Sequence, residues 1–321
     1  MAKQEDLSIV KRTLVALLAV TAAAAPAARA ADIFEKVGTI GAQYLKIPIG
    51  ARAAGMGDAF VSVSDDATAV FWNAAGVARL SGTVVSINHA AWAAQTAIDQ
   101  ATVVFPAPLL PGNMAFTARS FTMDPFEVVD VFHQDGTGTF ADAGDTDYSL
   151  TYARSLTDKF SAGTSFHYVN EGLADVKSHV LTYDFGTLYD TGFHSVRIGM
   201  TISNMGSNMV FLDRPVKVPT IFRVGLSANL YNDGTHSLLT AVDFSHPPDN
   251  KERLNMGAEY NFRDYFFLRG GYKLGYDSEK YSAGAGFKFP IGSAQAARLD
   301  YAWSDLQTLG AAQRVSLELN F

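Results

Sequence analysis

Beyond residue 145, apolar residues alternate with polar or small ones along segments of about ten residues. Phe222, Val224, Leu226, Ala228 and Leu230 share one parity, with Arg223, Gly225, Ser227 and Asn229 on the other. Val196, Ile198, Met200 and Ile202 oppose Arg197, Gly199, Thr201 and Ser203, and the chain closes with Val315, Leu317, Leu319 and Phe321 opposite Arg314, Ser316, Glu318 and Asn320. A period of two places successive side chains on opposite faces of a β-strand. Working back from Phe321, the pattern predicts about fourteen strands, near 311–321, 294–305, 280–290, 264–276, 252–262, 235–246, 219–230, 193–204, 177–188, 159–171, 146–156, 112–121, 97–105 and 82–90.

A soluble sandwich alternates in the same way, so the period does not choose between architectures. The connections do. Tight turns at Leu156 to Lys159, Asp190 to Gly192, Asn232 to Gly234, Arg263 to Asp264 and Ile291 to Ser293 alternate with longer loops at 122–145, 172–176, 205–218, 247–251 and 306–310. Short turns at one end, longer loops at the other and an even strand count predict an all-β fold, a transmembrane outer-membrane β-barrel of about 14 antiparallel strands. With the short turns in the periplasm, both ends of the mature chain are expected there too. Tyr148, Tyr152, Phe262, Tyr265, Tyr272, Tyr276, Tyr301 and Trp303 near strand ends are expected to form interfacial girdles.

The charges follow the parity. Arg197, Arg223, Glu259, Arg269, Lys273, Lys288, Arg298, Asp300, Arg314 and Glu318 all fall on the polar face. An Arg or Lys facing lipid at the midplane costs about 2 to 4 kcal/mol, so these residues are expected to line the lumen. Pairing of opposite signs across a filled interior is the favoured expectation and a solute path the sharper one. The uncharged stretches Leu80 to Ile98 and Gln100 to Ala118 are long enough to span as helices, but polar residues dilute the first and Pro106, Pro108 and Pro111 break the second.

Composition narrows the chemistry. The chain is 48% hydrophobic and 12% aromatic with a net charge of −7, which fits a folded protein and excludes a basic nucleic-acid binder. Without cysteine there is no disulfide framework and no thiolate metal site. Lys3, Lys11 and Arg12 precede an apolar run from Thr13 to Ala25, followed by Ala28, Arg29 and Ala30, the pattern of a secretory signal peptide cut between Ala30 and Ala31. Removing residues 1–30, which carry four basic and two acidic groups, leaves a mature charge of −9. The seven histidines lack metal spacing, and the acidic stretch 135–147 lacks EF-hand spacing. No serine-centred catalytic motif is present, so neither an enzyme nor a cofactor is expected.

Residues 31–80 do not alternate. They contain Gly50, Ala51, Arg52, Ala53, Ala54, Gly55, Met56, Gly57, Asp58, Ala59 and Phe60, then Asp65, Asp66 and Ala67, then Phe71, Trp72, Asn73, Ala74, Ala75 and Gly76. The glycines permit close backbone approach inside a narrow barrel, and Asp65 and Asp66 are expected to cap a short helix from Ala67 to Trp72. Gly55 and Gly57 lack the third glycine and preceding strand of a nucleotide loop. This block resembles the start of the PorV/PorQ family of outer-membrane proteins, similar in turn to the FadL long-chain fatty-acid transporters. Asn73, Ala74, Ala75 and Gly76 stand where that family carries Asn-Pro-Ala-Gly. After the signal peptide at 1–30, the resemblance implies an N-terminal plug segment at 31–80 and a barrel at 81–321 in a bacterial outer membrane. It implies secretion or surface delivery of exported proteins through their C-terminal signal domains, or, alternatively, FadL-like passive transport of hydrophobic small molecules such as long-chain fatty acids. Expected partners are outer-membrane lipids, the barrel-assembly machinery reading the terminal Phe321, and secreted proteins or hydrophobic small molecules.

Overall fold

A computed structural model describes residues 38–292 and 294–321. The expected cleavage site at Ala30 and Ala31 and the first residues of the expected plug lie outside them. The strands in chain order are β1 (Val84–Ala91), β2 (Thr96–Pro106), β3 (Asn113–Met123), β4 (Phe126–Glu127), β5 (Phe140–Ala141), β6 (Ala143–Ser155), β7 (Phe160–Leu173), β8 (Val176–Asp190) and β9 (Arg197–Gly206). They continue with β10 (Met209–Phe211), β11 (Arg214–Val216), β12 (Ile221–Asn232), β13 (His236–His246), β14 (Arg253–Phe262), β15 (Phe266–Leu274), β16 (Tyr281–Ile291), β17 (Ala294–Asp305) and β18 (Ala311–Asn320). Fourteen of them form one closed antiparallel barrel, while β4 with β5 and β10 with β11 make two small ribbons in the loops.

Each barrel strand pairs with its neighbours in sequence, and β18 closes on β1 from Val84 opposite Asn320 to Ala91 opposite Gln313. Thr83 and Phe321 extend the seam by two backbone hydrogen bonds of 3.3 and 2.8 Å. Gly82, at φ +72, is required there, because a Cβ would fall 2.2 Å from the Phe321 carbonyl oxygen. Closure leaves no unpaired edge, the condition for a sheet to sit in lipid. The outward parity is apolar and exposed, as at Phe116, Phe166, Leu181, Phe222, Leu268 and Leu317. The inward parity is buried and polar.

The two ends differ as the loop lengths imply. Where β1 starts and β18 ends, hairpins are short; the opposite end carries the ribbons and the longer loops. Two expectations are corrected. The β7–β8 connection is a two-residue hairpin rather than a longer loop, because the ladder runs on to Leu173 opposite Val176. Tyr276, assigned to a girdle, is turned into the lumen, where its hydroxyl donates to the Asn255 Oδ1 at 3.1 Å.

Candidate functional site: the packed lumen

Residues 38–82 join none of the barrel strands. The first described residues sit at the loop end. Ile40 makes an isolated parallel bridge with Lys217 in the β9–β12 loop. The Ala42 N–H donates to Glu171 at 2.6 Å, and Lys46 and Gln43 donate to Asp249 at 2.8 and 3.1 Å. The chain then runs down the lumen and leaves at the turn end, where Asn113 Nδ2 donates to the Val77 and Leu80 carbonyls at 2.8 and 2.7 Å. The described part of the segment thus crosses the barrel lengthwise, while the mature N-terminus, expected at the turn end, lies outside the described residues.

Within the lumen this inner segment folds as a short helix Ala51–Gly55, a helix Ala69–Trp72 and a 3-10 turn Ala74–Arg79. Its backbone is held by wall side chains. Asp243 accepts from the Phe60 and Val61 N–H groups at 2.6 and 2.7 Å. Glu318 accepts from the Ala67 N–H and Ser316 Oγ from the Ala51 N–H, both at 2.8 Å. Asn255 Nδ2 donates to the Gly57 carbonyl at 2.8 Å. Each bond satisfies a backbone group that a strand would have satisfied in a ladder.

The wall makes room with glycine. A Cβ on Gly163, Gly186, Gly199, Gly257 or Gly271 would lie 2.0 to 2.5 Å from inner-segment atoms of Ala74, Asn73, Val61, Met56 and Gly57 respectively. Gly57 is itself at φ +64, in the left-handed region. Phe60, Met56, Val63 and Trp72 form an apolar cluster at mid-lumen, and the Trp72 indole donates to the Ile49 carbonyl at 2.9 Å.

Charged residues from wall and inner segment interlock. Arg52 makes a two-pronged contact with Glu259 at 2.9 and 2.8 Å, and also contacts Asp65 and Asp66. Glu259 accepts from Arg269 at 2.6 Å, Arg269 reaches Asp300 at 2.7 Å, and Arg298 bridges Asp300 and Glu259 at 3.0 and 3.4 Å. Acid and base alternate through this network, as buried charges require. Lys273 pairs with Asp58 and with Glu279. Arg197 pairs with Asp190 at 3.0 Å and donates to the Val63 carbonyl. Arg223 donates to Ser203 at 3.3 Å instead of meeting a carboxylate.

Asp65 and Asp66 do not cap a helix beginning at Ala67. Asp66 accepts from the Thr68 N–H and hydroxyl at 3.0 and 2.5 Å, and the helix starts only at Ala69. Asp65 is drawn to Arg52. Gly50 opens the first helix at φ +91, Asn73 accepts from the Ala75 N–H at 3.2 Å, and Gly76 packs on Ser64 and Ala69.

Sequence reasoning missed a third cluster, on β3, β6, β7 and β8. His167 lies between Asp147 at 3.1 Å and Asp184 at 3.4 Å, and Asp147 also pairs with Arg119 at 3.1 Å. The same parity argument reaches these residues, since Asp147 shares a face with buried Ser149 and Thr151.

The space left over is unequal. At the loop end, cavities of about 50 and 20 Å³ flank Phe71 and Arg223, room for little more than water. At the turn end a cavity of about 360 Å³ is bounded by Arg52, Glu259, Arg197, Arg298 and Glu318.

Fold and site together define a closed outer-membrane β-barrel with a packed polar lumen. Residues 16–108 match an uncharacterised protein family (UPF0164), which is less than a third of the chain. No curated protein matches in sequence. Among solved structures, the fold is similar to the Pseudomonas putida toluene transporter TodX, with a TM-score of 0.55 at 11% identity over 84% of this chain and 96% of that one. The Ralstonia pickettii toluene transporter TbuX gives 0.54 at 14% identity over 84% and 96%. The monoaromatic hydrocarbon channel CymD gives 0.54 at 11% over 85% and 96%. At such identities the likeness shows the fold alone. Neither the matched family nor these three structures are named for PorV or PorQ.

Proposed function

We propose that the protein is a FadL-like passive transporter of hydrophobic small molecules across the outer membrane, with residues 31–80 as a plug that gates the lumen. In this reading the short turns face the periplasm and the loops face outward. Solute enters at the loop end, where Phe71, Trp72 and Ile221 offer apolar contact, and leaves through the turn-end cavity once the plug shifts. The observation that carries the reading is how the inner segment is held. Side-chain acceptors such as Asp243 and Glu318 fix it, so it can move without breaking the barrel ladder. The structures named for hydrocarbon transport share this fold, which favours transport over delivery of exported proteins.

A tether tests it. A Cβ on Gly55 would lie 3.1 Å from the Gly284 Cα, within reach of a disulfide between Gly55→Cys and Gly284→Cys. In bacteria lacking their own outer-membrane transporter, the unmodified protein is expected to raise uptake of radiolabelled oleate or toluene. The oxidised tether should abolish the gain and reduction restore it. No gain with either probe overturns transport; equal uptake by oxidised and reduced tether overturns the gate.

A further inference from the structure

The strands β6, β7 and β8 are 13, 14 and 15 residues long, more than the roughly 9 to 11 that cross a bilayer. Their surplus rises past the membrane at the loop end. The register of their outward faces is a graded surface. Leu150 lies beside Phe166 and Tyr183; one step towards the loops, Tyr148 lies beside Tyr168 and Leu181. The next row is Thr146, Asn170 and His179, and the last is Gly144, Gly172 and Lys177. Aliphatic and aromatic rows thus give way to polar residues and then to a cation.

The upper two rows are concave. A groove of about 480 Å³ opens there, lined by Gly144, Thr146, Asn170, Gly172, Lys177 and His179, with Glu171 and Ser178 at its base. The Glu171 carboxylate is turned inward, engaged by the Ala42 N–H at 2.6 Å. The concavity comes from the two glycines. A Cβ on Gly172 would already lie 3.3 Å from the Gly144 carbonyl oxygen, so a larger side chain fills the floor. Lys177 and His179 are exposed, and the His179 ring leans on Tyr168 with centroids 5.8 Å apart.

Tyrosine girdles sit at the level of lipid headgroups. A groove one and two rows above Tyr148 and Tyr168 therefore faces headgroups rather than acyl chains, and it offers a lysine ammonium, an imidazole, an amide and a hydroxyl. We propose that the outward groove on β6–β8 is a binding site for the phosphate-bearing headgroup of an outer-leaflet lipid, whose acyl chains lie along the Phe166, Leu150 and Leu181 rows. The occupant is argued from continuity, because the groove opens into the lipid-facing belt of the same strands. Lysine supplies the point charge that phosphate takes, on an alkyl stem suited to the interface. The proposal is independent of what the lumen transports.

Native mass spectrometry of the detergent-solubilised full barrel tests it, with three probes: lipid A, dephosphorylated lipid A and inorganic phosphate. The unmodified protein should retain lipid A and release the dephosphorylated form. Lys177→Gln should lower retention roughly fivefold, the weight of one surface lysine beside an anionic headgroup. Gly172→Leu, which fills the groove and leaves every charge in place, should lower it as well, while Lys159→Gln at the turn end should not. Heat-modifiable gel mobility confirms that each variant is a folded barrel. Equal retention by Gly172→Leu, or equal retention of the dephosphorylated lipid, overturns the proposal. Inorganic phosphate competing as well as lipid A makes the site one for free anion and overturns the lipid assignment.

Discussion

The barrel wall and the segment inside it are folded by different means. In the wall, every strand satisfies its neighbour's backbone, residue by residue, and the same pattern repeats from β1 round to the β18 seam. In the inner segment, short helical turns satisfy much of the backbone internally, and isolated wall side chains anchor it to the barrel: Asp243 serves two N–H groups, Glu318 one, Asn113 two carbonyls. A ladder fails only by opening along its length. A set of separate acceptors can be released in part, which suits the inner segment to be the mobile half of the proposed transporter and the wall its frame.

The largest expected effect comes from breaking the frame. Deleting Leu319 to Phe321 removes Val84–Asn320 and Val85–Leu319 pairing at the seam, the same residues' pairing with Ala296 and Ala297, and both bonds to Thr83. Neither edge is then satisfied in lipid. The truncated protein is expected to lose membrane assembly altogether, checked by gel mobility before and after boiling and by surface labelling. Normal assembly would show that closure, and the terminal signal expected at Phe321, are dispensable.

Next comes the centre of the charge network. Glu259→Ala leaves Arg52, Arg269 and Arg298 without a shared carboxylate, and breaking a buried pair costs about 3 to 5 kcal/mol. Because Arg52 belongs to the inner segment and the other two to the wall, the loss should fall on the attachment between them. Expected outcomes are a still-closed barrel, a lower unfolding temperature and raised ion conductance in planar bilayers. Lowered stability with unchanged conductance would make the network part of the frame. Asp243→Ala should do less, because it removes two hydrogen bonds to neutral backbone N–H groups rather than a carboxylate that three arginines meet. Protease accessibility near Phe60 and Val61 is the readout. If cleavage there is unchanged, the glycine-lined wall alone holds the segment.

The same difference explains what the sequence discloses. Period two marked all fourteen wall strands, with ends within a few residues, as 280–290 against Tyr281–Ile291. It falters at β7 and β8, where Asn170 and His179 on the outward parity erase the alternation without ending the ladder. Lumen-parity charges such as Glu259, Arg269 and Asp300 could be grouped from parity, but not their partners. Arg52 meets Glu259 across 207 positions of chain, a pairing no local pattern encodes. The inner segment's glycines hinted at close approach, whereas the wall glycines that receive it, Gly163 and Gly271 among them, look in sequence like ordinary small residues of a strand. Arg119, Asp147, His167 and Asp184 are legible by parity, but their strands carry isolated charges among many hydroxyls, so no local pattern groups them.

The smallest effect is sought where the inner segment meets the loops. Asp249, in the β13–β14 loop, accepts from Lys46 and Gln43. Burial pushes its carboxyl up, but those hydrogen bonds together with the Lys46 charge outweigh that and hold it below the usual carboxylate range. A carboxylate depressed in the folded state contributes stability above its unfolded value, near 3.8, and loses it as pH falls through the folded one. The contact should therefore hold from neutral pH down to about 4 and weaken below it. With Leu45→Cys, buried beside the contact and party to neither hydrogen bond, thiol labelling of the assembled barrel should accelerate in that acid window while heat-modifiable mobility stays unchanged. In the Asp249→Asn background the rate should be high at neutral pH and flat with pH. Labelling that accelerates only together with loss of the barrel would mean that the loop-end contact and the wall open as one unit, and the contrast between frame and mobile half would not extend to this end of the lumen.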